Sequence, residues 1–92
     1  MPLLRAKGFV LRNRPLGETD RLVTCFTLEH GKIAGVARGA GRLRSRFGSS
    51  LQPLSLIRLM LCGKAVRSLY RIGRTDIVSS FQNIRAAWEK LR

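Results

Sequence analysis

Three features of this 92-residue chain imply an all-β architecture: a small barrel of five strands followed by the start of a C-terminal helix. Short runs rich in β-branched and aromatic residues recur along it, and side chains alternate in character within them. Glycines fall at the bends between the runs. Apolar residues at helical spacing are absent until after Val78. Successive short strands without helices between them close most simply on themselves, which leaves no exposed edge.

Lys7 to Arg14 reads as the first strand, with Phe9 and Leu11 on one side and Val10, Arg12 and Arg14 on the other. Pro15 and Gly17 mark a turn that ends at Asp20. Arg21 to Thr27, β-branched and aromatic, is the second strand, and Glu29-His30-Gly31 is a tight connection. Lys32 to Ala37 is the third, where Gly35 suggests a bulge or bend. Arg38 to Ser50 is a loop containing three glycines. Leu54 to Cys62 is the fourth strand, with Ile57, Leu59 and Leu61 on its inner face. Gly63-Lys64 turns the chain, and Arg67 to Asp76 returns as the fifth strand through Leu69, Tyr70 and Ile72.

After Val78, Phe81, Ile84, Trp88 and Leu91 recur at spacings of three and four, as in a helix with one apolar stripe. Ser80 or Asn83 is placed to cap it. Arg12, Arg14, Arg58, Arg71 and Arg74 are assigned to outward faces. The OB-fold is the natural candidate and an SH3-like barrel is second. An OB barrel often carries a helix between its third and fourth strands, whereas here that interval is Arg/Gly-rich and poor helix material. Residues 1–79 are expected to form the barrel domain. Residues 80–92 are expected to be the first helix of a truncated or missing helical domain.

The charge pattern points to function. The net charge is +13. Glu29 and Asp76 are consecutive acids, and the 46 residues between them hold ten Lys or Arg. Arg38, Arg42, Arg44 and Arg46 place four guanidiniums in nine residues. Such a segment cannot neutralise itself locally, and nucleic acid is the commonest cellular polyanion. A membrane fits less well: the longest apolar stretch, Leu54 to Cys62, is far too short to span a bilayer and is interrupted by Arg58. The N-terminus lacks the apolar run of a signal peptide, so a cytoplasmic, nucleoid-associated protein is expected. Cys25 and Cys62 lie in apolar strand contexts and read as free buried thiols.

Enzymatic chemistry finds no foothold. His30, the one histidine, sits in a turn as a solvated loop residue, and no catalytic set assembles around it. Glu18 and Asp20 lie among Arg14 and Arg21, which suits ion pairing or turn hydrogen bonds. No Cys/His spacing suits a metal, and Gly39-Ala40-Gly41 lacks the Lys-Ser/Thr of a phosphate-binding loop. No cofactor is expected.

Nucleic-acid binding suits the residues better. Arginine forks pair bidentately with phosphate, and glycines let the backbone approach the strand. The candidate contacts are Arg38, Arg42, Arg44 and Arg46, supported by Lys32 and Arg14. Phe47 and Tyr70 are candidate base-stacking rings, with core packing as the alternative for each; Phe9, Phe26, Phe81 and Trp88 are assigned to the core. A glycine-rich arginine loop offers phosphate contacts and little base readout. Neutralising about five phosphates would give a log K against log salt slope near −3.5 on single strands.

Val10 to Val23, Thr27 to Lys32, Val36 to Ala40, Ser45 to Gly48 and Leu51 to Leu54, taken in order, resemble the N-terminal domain of the RecO family. These are bacterial recombination mediators and DNA repair proteins. The resemblance implies an OB barrel that binds single- and double-stranded DNA and anneals complementary strands. It implies a place in RecF-type recombinational repair, loading RecA onto strands coated by single-strand-binding protein, with RecR and that protein as partners. Arg38 matches the basic residue ending the third strand of the family barrel, Lys32 the lysine of its Gly-Lys turn, and Arg42, Arg44 and Arg46 its basic loop. Ala34 departs from members that carry lysine there. Family members continue into a helical domain, and this chain stops inside what reads as its first helix. Two other classes remain open: an adaptor barrel that docks RecR or single-strand-binding protein, and an RNA-binding barrel of the translation apparatus.

Overall fold

The computed structural model describes residues 3–66 and 69–91. The expected start of the last strand at Arg67 lies outside the described residues. Five strands and one helix follow in order: β1 (Leu3–Leu16), β2 (Asp20–Thr27), β3 (Gly31–Ala37), β4 (Leu56–Val66), β5 (Leu69–Ser79) and α1 (Phe81–Lys90). The strands close into a barrel in the order β1-β2-β3-β5-β4. β1 is long enough to serve two neighbours. Leu3 to Phe9 pair with β4, and Gly8 to Leu16 pair with β2. A short parallel ladder between β3 and β5, at Ala34–Leu69, Gly35–Tyr70 and Val36–Arg71, completes the ring. This is the expected OB-type barrel.

Several local expectations are corrected. Register shifts fall in β1 and along the β4–β5 ladder, not at Gly35. The β2–β3 register runs unbroken, whereas that of β1–β2 shifts between Val10 and Arg12. Gly35 is needed for another reason: a Cβ there would sit 2.8 Å from Ile72 Cγ1. Its bareness lets β5 close against β3. The β1 bulge adds Leu11 to the outer surface, so Val10 points inward while Arg12 and Arg14 point outward. Phe9, before the bulge, is outside too, at 42% exposure, because Ala6, Gly8 and Val10 hold the inward phase. The turn expected at Gly63-Lys64 is also absent, because β4 runs on to Val66 through an irregular register.

The interior is filled by Ala6, Val10, Val23, Cys25, Ala37, Ile57, Leu59, Leu61 and Ile72. Phe47 and Leu51 join them from the segment between β3 and β4. That segment is pinned rather than loose. Gly41 N–H donates to Thr19 O at 2.8 Å and Asn13 Nδ2 donates to Leu51 O at 3.0 Å. Leu54 N–H reaches Val10 O at 2.6 Å, and the Ser50 and Thr75 hydroxyls meet. Buried Thr27 stays satisfied: its hydroxyl donates to Gly31 O at 2.8 Å and accepts from His30 N at 3.0 Å. α1 begins where expected. Ser80 is its cap, accepting from Asn83 N–H at 3.2 Å. Its apolar stripe stays largely uncovered, with Trp88 65% exposed.

Cys25 and Cys62 are both free, Cys25 buried and Cys62 partly exposed. Burial pushes the Cys25 thiol up from 9.0 to about 12. The folded chain therefore keeps its proton where the unfolded chain loses it. This stabilisation is complete below pH 9 and is lost as pH rises through 12. The slope is about 1.4 kcal/mol per pH unit across that window. Denaturant titrations of Cys25→Ala against the parent should show this alkaline loss in the parent alone.

Candidate nucleic-acid interface

β3 ends at Ala37, and the chain turns at once through Arg38 and Gly39. Gly39 takes φ +76°, a conformation that side chains resist, and its N–H donates to Asp20 Oδ1 at 2.8 Å. Asp20 also accepts from the Thr19 hydroxyl at 3.3 Å. Its carboxylate therefore serves as a backbone anchor for the loop. Further turns follow, with Arg42 N–H to Gly39 O at 3.1 Å and Gly48 N–H to Ser45 O at 3.2 Å.

The consequence is a convergent display. Arg38, Arg42, Arg44 and Arg46 line one open depression of about 450 Å³, together with Thr19, Asp20, Gly39 and Ser45. All four arginines are exposed. Among the described residues the one salt bridge is Arg85–Glu89, 3.2 Å, on the exposed surface of α1. None of the four loop guanidiniums therefore lies within ion-pair distance of a carboxylate, and Asp20 cancels only one of four charges in the depression.

The other candidates lie elsewhere. Lys32 is exposed at the opposite end of β3 from Arg38, roughly 20 Å away at the rise of an extended strand. Arg14 is exposed on β1, opposite Leu22. Phe47 is corrected outright. It is 4% exposed, part of the core beneath the loop, so its ring offers no face to a base. The Arg46 guanidinium lies over it, 4.8 Å from the ring centroid. Phe47 thus orients an arginine, a contact worth about 0.5–1 kcal/mol at an exposed site. Tyr70 packs half-buried against the core.

The aromatics assigned to the core reverse in the same way. Phe9, Phe26, Phe81 and Trp88 are all exposed. Phe9 pairs with Phe26 across β1 and β2, and Phe26 pairs with Lys32 across β2 and β3. Two exposed rings and a lysine therefore share one cross-strand row, a combination suited to stacking and phosphate contact. The alternation Val23, Cys25, Thr27 was the available signal: three buriable side chains in one phase force Phe26 into the other.

Among the described residues no helix is long and apolar enough to cross a membrane. No group of three or more His, Cys, Asp or Glu is placed to hold a metal ion among them. Glu29 is held below its ordinary value first by the Lys7 N–H, which donates to Oε1 at 2.9 Å.

Residues 1–81 match the family model described as Recombination protein O N terminal. The chain belongs to this family. It is 42% identical over 86 residues to a DNA repair protein RecO from Bifidobacterium adolescentis, which covers 94% of the chain and 32% of that relative. A DNA repair protein RecO from Salinibacter ruber is 39% identical over 83 residues, covering 90% of the chain and 32% of the relative. Another from Cutibacterium acnes is 49% identical over 61 residues, covering 66% and 25%. The chain thus spans about a third or less of the RecO proteins it matches. All three alignments are long enough to take in most of a barrel.

Proposed function

We propose that this chain is the DNA-gripping barrel of a recombinational repair mediator, binding single- and double-stranded DNA and promoting annealing of complementary strands. The observation that carries the reading is the convergence of Arg38, Arg42, Arg44 and Arg46 on one open depression without a carboxylate in ion-pair range. Family membership and the names of the relatives support a role in DNA repair. The mechanism is charge neutralisation. Two phosphate backbones repel each other, and guanidiniums seated between them screen that repulsion while counterions are released. The bases remain free to find their complements, because a turn-rich loop reads few base edges. No covalent chemistry is required of the chain.

The family resemblance extends the proposal to RecR and single-strand-binding protein as partners in the cytoplasm, and to α1 as the first helix of a following helical domain. The exposed Phe81 and Trp88 stripe supports a covering element of that kind. The test is annealing of two complementary oligonucleotides by the 92-residue chain, followed by fluorescence transfer. Acceleration over the protein-free rate is expected, with loss in 1 M salt. An unchanged annealing rate under conditions where the chain binds both strands would contradict the reading. Comparison with structured RNA of equal length separates the translation alternative, which requires a strong RNA preference.

A further inference from the structure

The loop depression does not end at the loop. Arg46 lines it and also lines a second depression of about 320 Å³, shared with Arg74 and Asp76. Arg74 and Asp76 in turn border a third, of about 340 Å³, with Arg5, Lys7 and Arg58 around its rim. The strand registers explain this arrangement. Arg5, Met60 and Arg74 form one row across β1, β4 and β5, and Lys7, Arg58 and Asp76 form the next. Each row spans roughly 10 Å, two inter-strand spacings. Four cations and two carboxylates, Asp76 and Glu29, border this third depression. Neither acid lies within salt-bridge distance of a described cation, and Glu29 is engaged with the Lys7 backbone.

We propose that a single nucleic-acid strand held at the arginine loop continues over Arg46 and Arg74 onto the outer face of β5, β4 and β1. There Arg58, Arg5 and Lys7 take its phosphates. This path deepens, and rests on, the nucleic-acid reading above. OB barrels commonly take oligonucleotides across the face of their second and third strands. Here that face presents Leu22, Thr24, Phe26, Ala34 and Val36, with Lys32 at one end and the exposed Arg12, Arg14 and Arg71 on the flanking β1 and β5. What favours the other side is continuity: Arg46 joins the loop depression to the second, and Arg74 joins the second to the third, so a phosphate chain leaving the loop meets cations without a break. Ala6, Leu59 and Met60 line the same depression. Met60, half-buried between the Arg5 and Arg74 positions, offers a polarisable surface to a sugar or base.

The path makes binding depend on strand length. Anisotropy titrations with deoxythymidine oligonucleotides of about 4 and about 16 nucleotides bracket the site sizes of OB folds. R58E/R74E should leave the short oligonucleotide unaffected. For the long one it should lower the salt slope by about 1.4 and the affinity by more than tenfold near 0.1 M salt. R58Q/R74Q, which adds no negative charge, should give the same loss of slope, and circular dichroism checks that both variants are folded. R38E/R42E should weaken both lengths. Thr24→Glu, on the β2–β3 face, should weaken neither. Unchanged long-strand binding by R58E/R74E would overturn the path, as would an equal loss from Thr24→Glu. Loss of binding to phosphatidylserine vesicles with long-strand affinity intact would assign the face to a membrane surface and also overturn it. If R38E/R42E spared both lengths, the loop itself would fail as the anchor.

Discussion

R38E/R42E should weaken DNA binding about 25-fold or more near 0.1 M salt, and by the same factor for every sequence tested. Each phosphate contact on a single strand contributes roughly 0.7 to the slope of log K against log salt. Two lost contacts are therefore worth about 1.4 decades at that salt, and reversing the charge adds repulsion. Uniformity across sequences follows from the geometry. Arg38 and Arg42 rise from a chain of turns beside Asp20 and Thr19, facing an open depression rather than a groove shaped for base edges. The fold should be untouched, since both side chains are exposed and neither is ion-paired. Equal affinity before and after the double reversal, in a folded variant, would remove the loop from the interface. A loss confined to one sequence would replace phosphate gripping with base readout.

Phe47 gives the second large effect, and it falls on stability. Phe47→Ala should cost about 3–5 kcal/mol, the usual range for emptying a buried aromatic site. A 92-residue domain holds roughly 5–14 kcal/mol in all, so much of the stability would go. The ring is 4% exposed and plugs the barrel beneath the arginine loop, so the cavity would open directly under Arg46. Phe47→Leu refills most of that volume and should cost only about 1–2 kcal/mol. It should also bind DNA nearly as well as the parent, because the buried ring does not touch the strand and its contact with Arg46 is worth only about 0.5–1 kcal/mol. A base-stacking ring would behave differently, with Phe47→Leu losing about 1–3 kcal/mol of binding per stacked base while stability stayed high. Chemical denaturation and anisotropy on the two variants separate these outcomes.

That reversal shows what the sequence could reveal. Strand existence was readable because β-branched runs and glycine bends recur, and all five strands appear near their expected positions. The inner face of β4 was readable as well, since Ile57, Leu59 and Leu61 alternate with Arg58 and Met60. Phase was harder to read in β1. Phe9 looks like a core residue, yet Ala6, Gly8 and Val10 carry the inward phase, and Gly8 lies close against the Phe26 backbone. The bulge after Val10 then turns Arg12 and Arg14 outward. A shift of one residue exchanges every side chain between faces, and no single-residue preference fixes that choice. The basic loop was visible as charge. Its convergence depends on the Gly39–Asp20 and Gly41–Thr19 hydrogen bonds, which join residues about twenty positions apart. The line of cations over β1, β4 and β5 was less visible still, because Arg5, Lys7, Arg58 and Arg74 meet only through strand register.

Salt dependence of single-strand binding by the intact chain is the most direct measurement of phosphate gripping. With the four loop arginines engaged, log K against log salt should fall with a slope near −3, steepening to about −5.6 if the cations of the β1–β4–β5 face engage as well. A slope near zero with strong binding retained would contradict it, because guanidiniums that release no counterions are not holding phosphates.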